Sequence, residues 1–123
     1  MLKVEDEIVK FIKGKVNYKD IPNVEEVIRD YVVKHLAYGT LDVLIIDGKI
    51  KAVVRYNITP SGKTAEILDL FVDKEVGLKA IRYFILNNWR RWPDLKYIKF
   101  FRLFKYPGRV ARVYRIDRLV KEK

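Results

Sequence analysis

A chain of 123 residues has room for a single domain, and with half its residues apolar and 13% aromatic it can fill one core and is not expected to be disordered. It has no cysteine and one histidine, His35, which excludes disulfides, thiolate metal sites, cysteine nucleophiles and histidine clusters. The net charge of +10 is uneven: residues 1–73 hold 11 basic and 12 acidic side chains, residues 74–123 hold 15 and 4, and such a basic half favours anionic partners.

In chain order, "VEDEIVKFIKGKV" places Val4, Ile8, Phe11 and Ile12 at helical spacing, with acids in the first turn and Gly14 as a stop. "IPNVEEVIRDYVVKHLAYG" reads as a second helix, with Asn23 as cap and Glu26 three residues on. Its buried stripe is expected to be Val24, Val27, Ile28, Tyr31, Val32 and Leu36, and Gly39 ends it. His35 reads as a capping or packing residue near the helix end. The pattern then turns to Val, Ile, Leu and Thr, punctuated by Asp47-Gly48 and Pro60-Ser61-Gly62. Three antiparallel strands are predicted near residues 41–47, 50–58 and 64–72.

The third strand runs into "DKEVGLKA" and a helix from about Gly77 to Arg91, its apolar face being Leu78, Ile81, Ile85, Trp89 and Trp92, with Pro93 closing it. A strand, a short turn with a glycine and a helix start form a common phosphate-holding arrangement. "KYIKFFRLF" reads as a fourth strand, followed by a short turn or helix near 107–112 and a last strand near 113–119. No apolar run is long enough to span a membrane, and the acidic N-terminus is unlike a secretory signal, so a cytoplasmic location is expected.

This α-α-β-β-β-α-β-(short α)-β order, a meander feeding a turn and helix, resembles the GNAT superfamily of N-acetyltransferases, without its usual first strand. The resemblance implies one α/β (α+β) domain over residues 1–123, a mixed, mostly antiparallel sheet with flanking helices, and a bulge at the end of strand 64–72. In that family the next turn carries Gln/Arg-x-x-Gly-x-Gly/Ala, whose amides bind the pyrophosphate of acetyl-CoA. The matching window is Lys74-Glu75-Val76-Gly77-Leu78-Lys79: Lys74 and Gly77 fit, while Lys79 stands where the family has Gly or Ala. Leu70, Phe71, Val72, Lys74, Val76, Gly77, Leu78 and Lys79 are therefore the implied cofactor residues.

The resemblance further implies a carboxylate near that strand to accept the amine proton, since only a neutral amine attacks a thioester. Asp69 and Glu66 are the candidates, and their three-residue spacing predicts opposite faces. Tyr106 and Tyr114 are the candidate acids for the leaving thiolate. The implied activity is acetyl transfer to an unidentified primary amine, in a monomer or a homodimer.

A second reading keeps the fold without catalysis and assigns Arg90, Arg91, Arg102, Lys105, Arg109, Arg112 and Arg115 to nucleic acid or another acidic partner. Trp89, Trp92, Phe100 and Phe101, interleaved with them, are expected in the core. That leaves the arginines divided between a phosphate-tracking surface and a solvated face.

Overall fold

The computed structural model describes residues 4–15, 22–77, 79–100 and 112–117, with the backbone alone for Arg112 and Val113. Helices α1 (Val4–Lys15) and α2 (Val24–Tyr38) come first, then strands β1 (Leu41–Ile46), β2 (Lys49–Ile58) and β3 (Thr64–Val72), helix α3 (Lys79–Asn87), a 3-10 turn at Trp89–Arg91, and strands β4 (Tyr97–Phe100) and β5 (Arg112–Arg115). Among the described residues no helix is long and apolar enough to cross a membrane.

Helix α1 has acids in its first turn and lysines in its last, matching the helix dipole at both ends. It buries Ile8, Val9 and Ile12 against Ile28 and Val32 of α2. Arg29 fastens the pair through Glu5 at 2.9 Å and Asp6 at 2.6 Å. Two expectations for α2 are corrected. Asn23 lies in the left-handed region at φ 56 and makes no side-chain cap, because a capping residue needs extended backbone. The buried stripe turns toward Ile28, Val32 and His35, leaving Val27 and Leu36 exposed. Gly39 ends the helix at φ 70, as expected of a left-handed C-terminal glycine.

The five strands form one sheet in chain order, antiparallel except where β3 meets β4. Asp47 and Gly48 both have positive φ, the two-residue turn that joins β1 to β2 without splaying them. A parallel neighbour needs a crossover, and α3 supplies it. Ala80, Ile81 and Phe84 of α3, with Trp89, pack on Leu44, Ala52, Val54, Tyr56, Ala65, Ile67 and Ile98. Helices α1 and α2 cover the other face over Leu41, Val53 and part of Phe71. The result is a helix–sheet–helix sandwich with a core on each face.

Helix α3 begins two residues after Gly77, which sits in the preceding turn at φ 56. The rest of the predicted fourth strand and the short element near 107–112 fall outside the described residues, save Arg112 on β5. The last strand ends at Arg115, short of the predicted 119, and Arg115 pairs with Asp117 just beyond it.

Candidate functional site

The site is organised by one irregularity in β3. Tyr56 faces Ile67 and Arg55 faces Asp69, so Leu68 is an extra residue on β3, a β-bulge. The bulge lies within the strand and not at its end, where the resemblance had put it. Among the described residues, β3 pairs with β4 from Thr64 to Ile67. Beyond Ile67, Leu68–Val72 continue toward the turn at residues 74–77.

The extra residue also resets side-chain alternation. Ala65, Ile67, Leu70 and Val72 all pack toward α3, whereas Phe71 packs toward α1 and α2. Glu66 and Asp69 therefore share the α1–α2 face, correcting the opposite faces that regular alternation predicts. Each has a cationic neighbour across the strands. Lys99 Nζ is 3.7 Å from Glu66 Oε2. Arg55 grips Asp69, donating from Nε at 2.7 Å and pairing through a second guanidinium nitrogen.

Arg55 is itself held on two further sides. Its guanidinium lies 4.5 Å from the Tyr31 ring centre, a cation–π contact, and Nη1 is 3.4 Å from His35 Nε2. With Nε2 accepting from Arg55, the imidazole proton sits on Nδ1, 2.8 Å from Thr40 Oγ1. Burial first, and then the Arg55 charge, hold His35 below its usual pKa, so it is a neutral packing residue. Asp69 is thus clamped by Arg55 and partly exposed.

The turn after β3 closes on itself. The amides of Val76 and Gly77 both donate to the Asp73 carbonyl, at 3.0 and 3.1 Å. The Asp73 carboxylate pairs with Lys15 of α1 and lies 3.6 Å from Lys51 of β2, while Lys51 also grips Glu75. The Lys15 hydrogen bond is the main cause that holds the Asp73 carboxyl below its usual pKa. Lys74 and Lys79 point to solvent, and α3 carries no acid in its first turn, unlike α1 and α2. Ala80, in the first turn of α3, is fully buried. Leu70, Phe71, Val72 and Val76 are all partly buried, Leu70, Val72 and Val76 packing on the α3 core and Phe71 on the other. Leu78 lies outside the described residues.

Tyr114 stands opposite Ile98, beside Phe100, and so on the α3 face, across the sheet from both carboxylates. Tyr106 lies outside the described residues. Of the arginines assigned to nucleic acid, Arg90 donates to the Leu86 carbonyl at 2.7 Å and Arg115 pairs with Asp117 at 2.6 Å. Arg91 is a structural strap, bound to Asp42, the Tyr56 hydroxyl and the Gly39 carbonyl. Arg102, Lys105, Arg109 and the Arg112 side chain lie outside the described residues. Trp89 is buried, as expected, and Trp92 and Phe100 pack against the same core.

One polar constellation was not anticipated. Asp42 is 8% exposed in an otherwise apolar strand and accepts from the Tyr56 hydroxyl at 2.7 Å and Trp89 Nε1 at 2.9 Å. Burial first, then the Asp42 hydrogen bond, push the Tyr56 phenol above its usual pKa. The available signal was the lone acid inside "LDVLII", since a charge in such a run needs partners.

No family model matches the chain, and the search of curated proteins gave no match. Solved structures do match in fold. A protein assigned to the GNAT acetyltransferase family from Desulfovibrio desulfuricans superposes with TM-score 0.53 at 13% identity, covering 94% of each chain. GphF, a GNAT-like decarboxylase in complex with isobutyryl-CoA, gives 0.54 at 16% identity over 97% of this chain and 68% of its own. Tetrahymena GCN5 gives 0.52 at 10% identity over 90% of this chain and 88% of its own. The sheet and its flanking helices therefore have the GNAT fold, as the sequence resemblance implied.

Proposed function

We propose that the chain is an acyl-CoA-dependent N-acyltransferase, with acetyl-CoA as donor and a primary amine as acceptor. The observation that carries the reading is the bulge at Leu68, after which β3 runs into the glycine turn before α3. In this reading the donor lies along Leu68–Val72, its pyrophosphate at the turn, where Lys74 and Lys79 supply positive charge and the first turn of α3 supplies no competing acid. GphF, which shares the fold, holds an acyl-CoA. That protein is a decarboxylase, so the fold leaves the reaction to be settled by side chains.

The amine approaches from the α1–α2 face, where both carboxylates lie. Its nitrogen bonds to the thioester carbonyl carbon, the carbon–sulfur bond breaks, and the ammonium proton passes to a carboxylate. Glu66 is the better acceptor, since Lys99 stands off at 3.7 Å while Asp69 is gripped by Arg55. Asp69 then sets the charge and shape of the acceptor side. In this reading Tyr114, on the other face of the sheet, remains the candidate acid for the departing thiolate.

The test is release of free CoA thiol from acetyl-CoA in the presence of a panel of amines, with a thermal melt in parallel. Acetyl-CoA at a hundredfold excess over Kd stabilises a folded protein by about 2.7 kcal/mol. An upward melting shift and thiol release that Glu66→Gln abolishes are expected. No shift at millimolar acetyl-CoA contradicts the proposal.

A further inference from the structure

We infer that Lys99 is an internal acyl acceptor, its Nζ taking the acyl group of the bound acyl-CoA, so that the chain modifies itself at this residue. This role rests on the acyltransferase reading and gives it a first acceptor. Strand β4 runs parallel to β3, with Lys99 facing Glu66 and Phe100 facing Ile67. Ile98 and Phe100 pack on the α3 core, so alternation along the strand turns Lys99 to the other face of the sheet, the one Glu66 shares with α1 and α2. Lys99 Nζ stands 3.7 Å from Glu66 Oε2, and the two side chains are 34% and 28% exposed.

Two features set this lysine apart. Glu66 is the carboxylate assigned to take the proton of an amine, and Lys99 presents an amine to it with no added substrate. Lys99 also lies at the acyl end of the donor. With phosphates at the turn and the donor running back from Val72 to Leu68, the acyl group comes to the bulge, and Lys99 and Glu66 form the pair next to Phe100 and Ile67, which border it. Among the described residues, Lys15 and Lys51 pair with Asp73 and Glu75 at the phosphate end, and Lys13 pairs with Glu25 of α2. Bringing Nζ and Oε2 within the roughly 2.6–3.2 Å of proton transfer takes only a small movement of a flexible stem.

The step balances with the acyl-CoA as the sole co-reactant. Glu66 takes one proton from the Lys99 ammonium, and the neutral Nζ bonds to the thioester carbonyl carbon. The carbon–sulfur bond breaks and leaves its electron pair on sulfur. A second proton from the nitrogen goes to the thiolate, giving the free CoA thiol, and Glu66 releases its own proton to solvent. The product is an amide at Lys99 Nζ. It carries no charge, so acylation also removes the cation beside Glu66.

Incubation of the full chain with acetyl-CoA and no added amine, read by intact mass and peptide mapping, tests it. The expected result is a gain of one acetyl group per chain, mapped to Lys99, at a rate per chain that dilution of the protein leaves unchanged. Lys99→Arg keeps a cation beside Glu66 and is expected to lose the modification. Glu66→Gln is expected to slow it by about a hundredfold or more, with the circular dichroism spectrum of both variants unchanged. An unmodified Lys99 overturns the inference. So do acetyl groups spread over many lysines, a rate that falls on dilution, or modification that either variant leaves intact. A thermal melt with acetyl-CoA and thiol release with added amines separate the two readings. If both are positive while Lys99 stays unmodified, this inference falls and the acyltransferase reading stands; if neither is, both fall.

Discussion

Replacing Asp42 with alanine removes the acceptor at the junction of β1, β2 and the 3-10 turn. The Tyr56 hydroxyl and Trp89 Nε1 donate to one carboxylate oxygen at 2.7 and 2.9 Å, and the two residues are 0% and 2% exposed. Leaving a buried donor unsatisfied costs about 1–3 kcal/mol. The tyrosine can turn in part to the Gly39 carbonyl, 3.3 Å away, so its share falls at the low end. Arg91 adds little, because it is 43% exposed and water screens its charge. Together these give a loss of about 3 kcal/mol for Asp42→Ala. Asp42→Asn keeps a carbonyl oxygen for one donor and should lose about 1 kcal/mol. Urea unfolding followed by tryptophan fluorescence reads both, with the m-value unchanged. Asp42→Ala within about 0.5 kcal/mol of wild type would refute the account of this junction, since that is the range of surface substitutions.

Three further outcomes follow from the site. His35 has a lowered pKa in the fold, so between its folded value and about 6.5 the unfolded chain binds the extra proton. Its contribution is complete above pH 6.5 and is lost as pH falls below it, and His35→Gln should flatten that part of the stability–pH curve. For Gly77 at φ 56, a Cβ would meet nothing nearer than the Lys74 carbonyl oxygen at 4.0 Å, so Gly77→Ala should cost only the backbone penalty, about 1 kcal/mol by chemical denaturation. Arg55→Met should destabilise by about 1–2 kcal/mol, discounted because Arg55 and Asp69 are 23% and 28% exposed, and Asp69→Asn in that background should cost less than it does alone.

The elements themselves were legible because period and punctuation agreed: β3 runs from Thr64 to Val72 as predicted, and Asp47-Gly48 forms its turn. What sequence periodicity could not show is the bulge. Nothing in "TAEILDLFV" marks Leu68 as the residue that leaves the ladder, because β2 decides the register. A single extra residue moved Asp69 onto the face of Glu66. The α2 stripe was misread for a related reason. Leu36 is the more apolar choice, yet His35 is buried because Arg55 and Thr40 satisfy both ring nitrogens. Likewise Arg91 looked like a phosphate cation beside two tryptophans, until Asp42, 49 residues earlier in the chain, proved to be its partner. Each miss is set by a partner distant in the chain, β2 for the bulge, Arg55 for His35 and Asp42 for Arg91, which local pattern does not encode.

The central claim is that an acyl-CoA lies along β3 beyond the bulge, with its phosphates at the turn before α3. Amide chemical shifts recorded during an acetyl-CoA titration test this most directly. The account predicts saturable changes at Leu68–Val72, at Lys74–Gly77 and at Phe100, the β4 residue paired beside the bulge, with little change in α1. An absence of shifts at millimolar acetyl-CoA, or shifts gathered on α1 and the outer edge of β1, would contradict it.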